Sequence, residues 1–509
     1  MNHAVMLDDR TTVGLRIVGT GAVLGVAADL LLRATPWGLN ALLCVAALVG
    51  ACAWLARRSR AALTADAPWL AATALLIGSN FVARDSAALR LLDAAGLLIV
   101  FSLAPLTVQG APLRRRSLWK YGGAALGSAV SACTGAIALV GRDIRWNEVP
   151  RSERLQHARS VGLGVAVALP LLVAFGGLFA SADVVFGNVV ANVVPLDVGQ
   201  IASHVFLIGC CAALAAGYLR GALLGARAGP AAPAGPPLGI VPVATALALV
   251  DLLFLVFVVV QVRYFFGGAA FVERATGVTY AEYARRGFFE LVAASGLVLP
   301  VLLGADCVLR GEPPAARRTF RQLAALLLVL LAVVMASAFE RMRLYVEAFG
   351  LSEIRLYATA FMLYLLGTFV WFAWTVLRGR RRGFAFGAAV QGFVVLGGLH
   401  LLNPDAFIVR TNLARTGAVR PFDAAYASSL GADAVPALLA TLPSLDSSQA
   451  CRVAHRLLAR WTAADAGGGG GGGGWRNWNW SRARARRLVR DRQAELRARA
   501  CPQVTEQPR

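Results

Sequence analysis

The chain is poor in charged residues. Only 15% of its 509 residues are Asp, Glu, Lys or Arg, whereas 58% are hydrophobic and the mean hydropathy is +0.62. A water-soluble domain usually has about 25% charged and about 45–50% apolar residues. A single oversized soluble core is excluded, because such cores stop growing near about 250–300 residues. The deficit of charge therefore indicates that lipid surrounds much of the chain.

The sequence also lacks the motifs of several enzyme and metal-site classes. It has no CxxC, no Cys/His pair at zinc spacing, no HExxH, and no GxSxG with a matching Asp and His. These absences predict no metal and no cofactor, and they favour a protein that is not an enzyme. Of eight cysteines, Cys451 and Cys501 fall in the C-terminal region. Two unpaired thiols are expected there, and a disulfide is the alternative if this region lies outside the cytoplasm.

Lysine is almost missing, and arginine carries nearly all of the positive charge. Lys120 is the only lysine, yet the net charge is +22. The arginines are dispersed over loops and one tail, whereas a nucleic-acid-binding protein concentrates them on a folded face. We therefore expect no nucleic-acid partner. The expected partner is the lipid bilayer, and residues 404–509 are the surface for a protein partner if the protein acts in assembly or signalling.

Long apolar stretches are the dominant feature of the sequence. About 20 apolar residues cross about 30 Å of hydrocarbon as a helix, and only helices or closed barrels satisfy their backbone there. The predicted fold class is all-α, a polytopic helical membrane bundle of 11–12 transmembrane helices with a small C-terminal helical domain. The predicted spans are 13–32, 38–55, 68–82, 91–108, 121–140, 161–179, 201–224, 240–262, 288–308, 323–339, 357–377 and 384–402.

Arginine clusters in short loops predict the orientation, because cytoplasmic loops carry an excess of basic residues. The clusters at 57–60, 114–120, 317–321 and 378–382 are expected to be cytoplasmic, and the loop 181–200, without a basic residue, lies outside. The five arginines of 142–159 conflict with the cluster at 114–120 unless 121–140 lies in the interface or re-enters. Eleven crossings then place the N-terminus inside and the C-terminal domain in the periplasm or outside the cell. The predicted location is a bacterial inner (cytoplasmic) membrane.

Composition predicts six segments. The eight-glycine run is a linker and not a phosphate-binding loop, because no GK[ST] follows it. The segments are an N-terminal membrane region (1–224), a Pro/Gly/Ala linker (225–239), a second membrane region (240–403), a small helical domain (404–466), the poly-Gly linker (467–474) and a Trp-led, Arg-rich helix with a tail (475–509). That last helix either contacts anionic lipid or has a solvated basic face, and its tryptophans dock on the small domain or at the membrane interface.

Two loops of the second membrane region are similar to each other. Residues 271–283 and 345–357 share an aromatic-Val-Glu triplet, a glycine turn, and a capping residue, Thr279 or Ser352, before the next helix. The similarity indicates either a parallel internal repeat or a chance likeness between two capped loops.

The segment 280–291 (YAEYARRGFFEL) resembles the signature of a bacterial multi-pass membrane family known only as domain of unknown function 4173, close to the 4153 group. Residues 142–146, 181–183, 403–405 and 475–479 resemble further pieces of that pattern. The resemblance extends from about residue 65 to about residue 500, and the glycine run looks like an insertion. It implies a membrane bundle without an established activity, and it implies no catalytic residues.

Charged side chains at the membrane are the candidates for function. Asp251 lies in the middle of the span 240–262, where a carboxylate costs at least ~2.5 kcal/mol, so it is either a proton or cation site or a hydrogen-bonded link between helices. Glu282, Arg286 and Glu290 share one helical face, as an anion or headgroup site or as solvated ion pairs. The ligand-binding candidates are Asp251, Arg263, Glu273, Tyr280, Glu282, Tyr283, Arg286, Glu290, Arg341, Arg343, Glu347 and Arg355.

Three functions are consistent with these features. The first is a multi-pass inner-membrane protein that moves or senses a small solute or lipid at the outer ends of the spans in 240–377. The alternative is a membrane-anchored assembly or signalling protein whose C-terminal helices bind a partner. The third is a membrane enzyme acting on a lipid-linked substrate.

Overall fold

The computed structural model describes most of the chain. Described are residues 9–108, 112–148, 198–225, 239–266, 288–309, 312–416, 422–462 and 474–500, together with the single residues 168, 175, 179, 182 and 183. Over these ranges the backbone forms seventeen α-helices and no strand. The predicted all-α fold class is thereby confirmed.

Eleven of the described helices precede residue 403. Ten are long and apolar enough to cross a membrane, and α3, with 17 residues, is shorter. The eleven are α1 Asp9–Leu32, α2 Leu39–Arg58, α3 Ala67–Ala83, α4 Ala87–Thr107, α5 Leu118–Ala138, α6 Val198–Leu223, α7 Ile240–Phe266, α8 Phe288–Val308, α9 Pro314–Phe349, α10 Glu353–Thr375 and α11 Phe384–Leu402.

The predicted spans agree with these helices in position. Ten of the twelve coincide with the long apolar helices, and 68–82 coincides with the shorter α3. The remaining span, 161–179, lies largely outside the described residues. Segment 121–140 belongs to a continuous helix that extends as a π-helical turn to Asp143, 26 residues in all. Such a helix is about 39 Å long, which is enough to cross about 30 Å of hydrocarbon, and re-entry from the cytoplasm stays an untested alternative. Whether α5 crosses the membrane or lies in its interface stays a prediction.

The boundary of α9 differs from the prediction. Residues 345–347 were expected in a loop, but α9 continues to Phe349 and has 36 residues. Its exposed last turns are stabilised by ion pairs from Arg343 to Glu340 and Glu347, three and four residues away. The true loop is therefore short, and it turns at Gly350, whose φ of +81° favours glycine. Ser352 precedes α10 as predicted, although its side chain makes no capping hydrogen bond.

The chain divides into two compact units. The first comprises Met1–Leu75, Phe101–Gly110 and Ala124–Arg227, and the second comprises Leu76–Val100, Ala111–Gly123 and Ala228–Arg509.

In the first unit, α1 packs closely against α6. A Cβ on Gly25 would lie 2.8 Å from the Cβ of Ala212, so only glycine allows this approach. Small residues at such contacts are typical of helix packing in membranes. Ile17 and Leu219 are fully buried beside the contact. Two buried acids add ionic links: Asp143 pairs with Arg10 and Arg220, and Asp29 with Arg33.

In the second unit, α9 forms the centre of a helical bundle. It packs against α7, α8 and α10. The side chains of Leu327, Leu331 and Phe372 are buried between them. α10 starts at the end of the bundle that contacts the C-terminal helices. Its 23 residues extend to the opposite end of the bundle. Polar side chains therefore cluster at two separate sites, one at each end of α10.

Six helices follow residue 403 and form a small domain within the second unit. Asn403 starts the first of them and accepts a hydrogen bond from the amide of Ala406. Val453, Ala485 and Val489 are fully buried in the shared core. The six are α12 Pro404–Ala414, α13 Ala424–Ser429, α14 Val435–Thr441, α15 Ser447–Thr462, α16 Trp480–Asp491 and α17 Gln493–Arg499.

Cysteine pairing differs from the prediction of two unpaired thiols. Cys451 is disulfide-bonded, and the six cysteines that the structure describes as free are all in the membrane regions. A disulfide was the alternative that the sequence left open for Cys451.

Candidate functional site

Buried charged and polar groups meet where α3, α4, α10 and α11 reach the C-terminal helices. We call this cluster the charged junction. Burial of so many ionisable groups is uncommon unless they are paired or hydrogen-bonded. Its members are Asn80, Arg84, Asp85, Arg90, Asp93, His400, Asp405, Asp433, Asn479, Ser481 and Arg482.

Asp433 is the centre of the charged junction. It lies in a short 3₁₀ turn before α14, and its carboxylate is almost completely buried. It accepts hydrogen bonds from Arg84 Nη1 at 3.3 Å, from the Asp85 amide at 2.6 Å and from the Ser481 hydroxyl. One carboxylate thus joins the α3–α4 turn to both parts of the C-terminal domain.

Asn479 connects two helix ends. Its side-chain oxygen accepts from the Arg482 amide at 3.0 Å and so caps α16. Its side-chain nitrogen lies 2.9 Å from the carbonyl of Phe81 and 2.8 Å from that of Arg84. The last carbonyls of a helix have no partner within that helix. The C-terminal segment therefore satisfies the exposed end of α3.

The acids of the junction have unequal surroundings. Asp85 lies 3.6 Å from Arg90 and 3.5 Å from Arg482, but burial raises the pKa of Asp85 against the opposing effect of both arginines. Asp93 binds His400 Nε2 at 2.9 Å and Asn80 Nδ2 at 3.1 Å. Each of these two carboxylates has a cationic or donor partner at short range.

Asp405 is different, because it has too few partners. It is 1% exposed, and its Oδ2 accepts from the Gly431 amide at 3.0 Å. Its Oδ1 is buried and has no hydrogen-bond partner within the described part of the chain. Burial, with Glu353, Asp433 and Asp85 nearby, raises the pKa of Asp405 to about 7. The junction can therefore hold a proton at neutral pH.

A cavity of about 1010 Å³ lies at the other end of α10, and we call it the aromatic cavity. It is open on one side and is lined by the last turns of α8 and α10, the start of α5 and the turn before α11. Three tryptophans, Trp119, Trp371 and Trp374, belong to its apolar lining. Its polar groups are Ser117, Thr375, Asp306 and the three consecutive arginines Arg380, Arg381 and Arg382.

The aromatic cavity carries an excess of positive charge. Arg381 forms an ion pair with the buried Asp306 at 2.8 Å. Arg380 and Arg382 are exposed and make no ion pair with any residue that the structure describes. Arg378 stacks on Trp374 with its guanidinium 3.9 Å from the ring centre, beside the cavity. The arrangement can bind a molecule that has an apolar part and an anionic group.

The residues predicted as ligand contacts are spread over the second unit. Asp251 is buried near the middle of α7, and neither of its carboxyl oxygens has a hydrogen-bond partner among the residues described. Arg263 belongs to the last turns of α7, and Glu290 is exposed in the first turn of α8. Five candidates lie outside the described residues: Glu273, Tyr280, Glu282, Tyr283 and Arg286.

The remaining candidates lie at the end of α9 and the start of α10. Arg343 and Glu347 come together as an ion pair of 2.9 Å, and Arg341 is half-buried nearby on the same helix. Arg355 donates to the carbonyl of Gly350, and its guanidinium lies 4.0 Å from the ring centre of Tyr345. Arg355 thus stabilises the short turn between α9 and α10. Its role as a ligand contact stays a prediction.

The sequence did not identify the charged junction or the aromatic cavity. Asp405 and Asn479 lie in segments with a family-like pattern, and the arginines of 378–382 were interpreted only as a marker of orientation. No spacing in the sequence indicates that Arg84, Asp405, Asp433 and Asn479 meet, because they are far apart in the chain. The one signal in the sequence for the charged junction was the presence of charged residues beside apolar spans, as at Asp85 and Asp405.

Comparison with protein families gives a match over most of the chain. Residues 70–441 match the family model described as Domain of unknown function (DUF4153). No curated protein and no solved structure matches the chain. The matched range covers more than half of the chain, and it includes both the aromatic cavity and most of the charged junction. It ends before α16, so Asn479 and Arg482 lie beyond it. This match is compatible with the predicted likeness to the 4153 group, and membership of the 4173 family is not shown.

Proposed function

Since the chain belongs to the family Domain of unknown function (DUF4153), whose description assigns no activity, we propose a function from the geometry alone. The protein is a multi-pass membrane protein that binds an anionic lipid in the aromatic cavity, and it senses or moves that lipid. The aromatic cavity is the observation that carries this proposal. Its volume lies at the upper end of the range of small-molecule sites, about 300–1,000 Å³.

The lining of the cavity supports an anionic amphiphile as its occupant. Arg380 and Arg382 provide two positive charges that Asp306 does not neutralise, because Arg381 already pairs with it. Arginine matches the geometry of phosphate groups through its planar fork of donors. The tryptophan rings provide an apolar surface against which an acyl chain or glycerol backbone can pack. A phospholipid headgroup with its first acyl carbons combines both requirements.

The proposed orientation puts the cavity in the cytoplasmic leaflet. Residues 378–382 form one of the arginine clusters expected inside, and the disulfide at Cys451 favours a C-terminal domain outside the cytoplasm. The two features lie at opposite ends of α10, which is consistent with both expectations. The site at the outer ends of 240–377 remains a separate prediction.

The experiment compares lipid crosslinking in the cavity. Photoactivatable phosphatidylglycerol is added to the full chain in detergent, and crosslinks to the peptide containing Trp374 are quantified by mass spectrometry. An arginine near the headgroups contributes about 1 kcal/mol. R380Q/R382Q should therefore lose about 2 kcal/mol, which is roughly thirtyfold in apparent affinity. Removal of two exposed arginines of the C-terminal domain, R452Q/R497Q, is the charge-matched control and should have no effect.

Other lipids and ions distinguish the possible anionic ligands. A photoactivatable phosphatidylcholine should crosslink weakly and should not respond to R380Q/R382Q. If inorganic phosphate at millimolar concentration displaces phosphatidylglycerol, the natural ligand is a soluble phosphate compound and not a lipid. Equal crosslinking of phosphatidylglycerol in the wild type and in R380Q/R382Q would rule out the cavity as the site.

A second function, assembly or signalling through the C-terminal domain, is supported by the charged junction. Asn479 and Asp433 connect that domain to the ends of α3 and α4, so a partner bound to the domain would act on membrane helices. Deletion of residues 412–509 would abolish the cellular phenotype if this function is correct, and R380Q/R382Q would leave the phenotype unchanged.

A further inference from the structure

Three tryptophans are exposed around the start of α16. Trp475 is 61% exposed, Trp478 44% and Trp480 54%. Each tryptophan buries about 150–250 Å² in a folded protein, so three of them in water at one place are unfavourable. Tryptophan, like tyrosine, is enriched at the boundary between lipid and water.

Contacts with the end of a membrane helix fix the position of this segment. Asn479, between Trp478 and Trp480, donates to carbonyls at the C-terminal end of α3. Arg84 in turn donates to the carbonyl of His400 at the end of α11. At that same end Leu401 is 87% exposed, which fits contact with hydrocarbon and not with water. The tryptophans are therefore held at the level where two apolar helices end.

The faces of α16 are chemically distinct. Ser481, Ala485 and Val489 are spaced by four residues and are buried against the C-terminal domain. Trp480, Arg484 and Arg487 follow a spacing of four and three residues and are all exposed. Neither Arg484 nor Arg487 makes an ion pair with a residue that the structure describes. A face of one tryptophan followed by two unpaired arginines suits a membrane surface with negative charge.

We propose that Trp475, Trp478, Trp480, Arg484 and Arg487 form an interfacial anchor, with the tryptophan rings among the lipid headgroups and the arginines on anionic phosphates. The leaflet is the one at the ends of α3 and α11, opposite to that of the aromatic cavity. The anchor holds α16 on the membrane while Asn479 and Ser481 hold it on α3. This surface is independent of the cavity and of the function proposed for it.

The experiment uses quenching of tryptophan fluorescence in the full chain. Wild type and W475F/W478F/W480F are reconstituted into nanodiscs with phospholipids brominated near the headgroup, with or without phosphatidylglycerol. The difference between the two proteins isolates the emission of the three tryptophans. We expect brominated lipid to quench more than about half of that emission, and iodide to quench little of it. W461F removes a buried tryptophan of the same domain, and its difference emission should resist both quenchers.

The contribution of Arg484 and Arg487 to membrane binding is tested by removing their charge. R484Q/R487Q should make the three tryptophans about twofold more accessible to iodide in discs with phosphatidylglycerol, and should have no such effect in discs of phosphatidylcholine alone. R452Q/R497Q is the matched control. If iodide quenches the difference emission and brominated lipid does not, the tryptophans face water and the proposal is wrong. If both quenchers fail, protein covers the surface, which overturns the lipid anchor as well.

Discussion

Replacement of Asp433 by alanine is expected to loosen the C-terminal helices from the ends of α3 and α4. The buried carboxylate accepts from Arg84, from the Asp85 amide and from Ser481. Without it, the amide and the hydroxyl lose their acceptor and the guanidinium loses its counterion. Removal of one partner of a buried pair typically costs about 3–5 kcal/mol. Because Arg84 is 25% exposed, we expect about 3 kcal/mol.

Hydrogen exchange measured by mass spectrometry on the full chain in nanodiscs checks this expectation. Amides of α16 and of the last turn of α3 should exchange roughly 100-fold faster in D433A, because local opening would cost about 3 kcal/mol less. Amides of α1 and α6, in the other compact unit, should keep the wild-type rate. D491A removes an exposed carboxylate from the end of α16 and is the matched control. Uniform acceleration of exchange over the whole chain would mean that Asp433 stabilises the entire fold and not this contact.

The membrane helices were predictable from the sequence because their cause is local. A run of about 20 apolar residues must be a helix in lipid, whatever it packs against. The errors have equally physical causes. The extension of α9 to Phe349 depends on ion pairs of Arg343 on an exposed helix surface, which hydropathy does not detect. The disulfide at Cys451 depends on the folded position of α15, and spacing in the sequence does not give it.

The candidate sites were less predictable because they depend on contacts between distant parts of the chain. The pairing of Arg343 with Glu347 is a local consequence of their i, i+4 spacing once α9 continues through residue 347. In contrast, Asp433 and Arg84 are 349 residues apart. The arginines of 378–382 border a cavity only because α8 and α10 bring Trp371 and Asp306 to the same end of the bundle. Such arrangements are a property of tertiary packing.

The wild type is expected to lose stability as the pH rises from about 4 to about 7. Replacement of Asp405 by asparagine should abolish this loss. The pKa of Asp405 is raised from 3.8 to about 7 in the folded chain, first by burial and then by Glu353, Asp433 and Asp85. In this pH range the unfolded chain has released the proton that the folded chain still binds. Stability is therefore highest below about pH 4, falls as the pH rises, and becomes constant above about pH 7. The full shift corresponds to about 4 kcal/mol, which is an upper limit for one carboxyl.

Asparagine resembles the protonated acid in shape and hydrogen bonding. Its carbonyl can accept from the Gly431 amide as Asp405 does, and its amide carries no charge toward the three neighbouring acids. D405N should thus be closest to the wild type at pH 4.5 and be clearly more stable than the wild type at pH 8. Thermal unfolding of the full chain in detergent, followed from pH 4.5 to 8.5, measures this difference, with D491N as the exposed control. Parallel curves for D405N and the wild type would show that Asp405 does not hold a proton in the folded protein. A separation that grows between pH 4 and 7 and then stays constant would identify Asp405 as the group that links stability to pH.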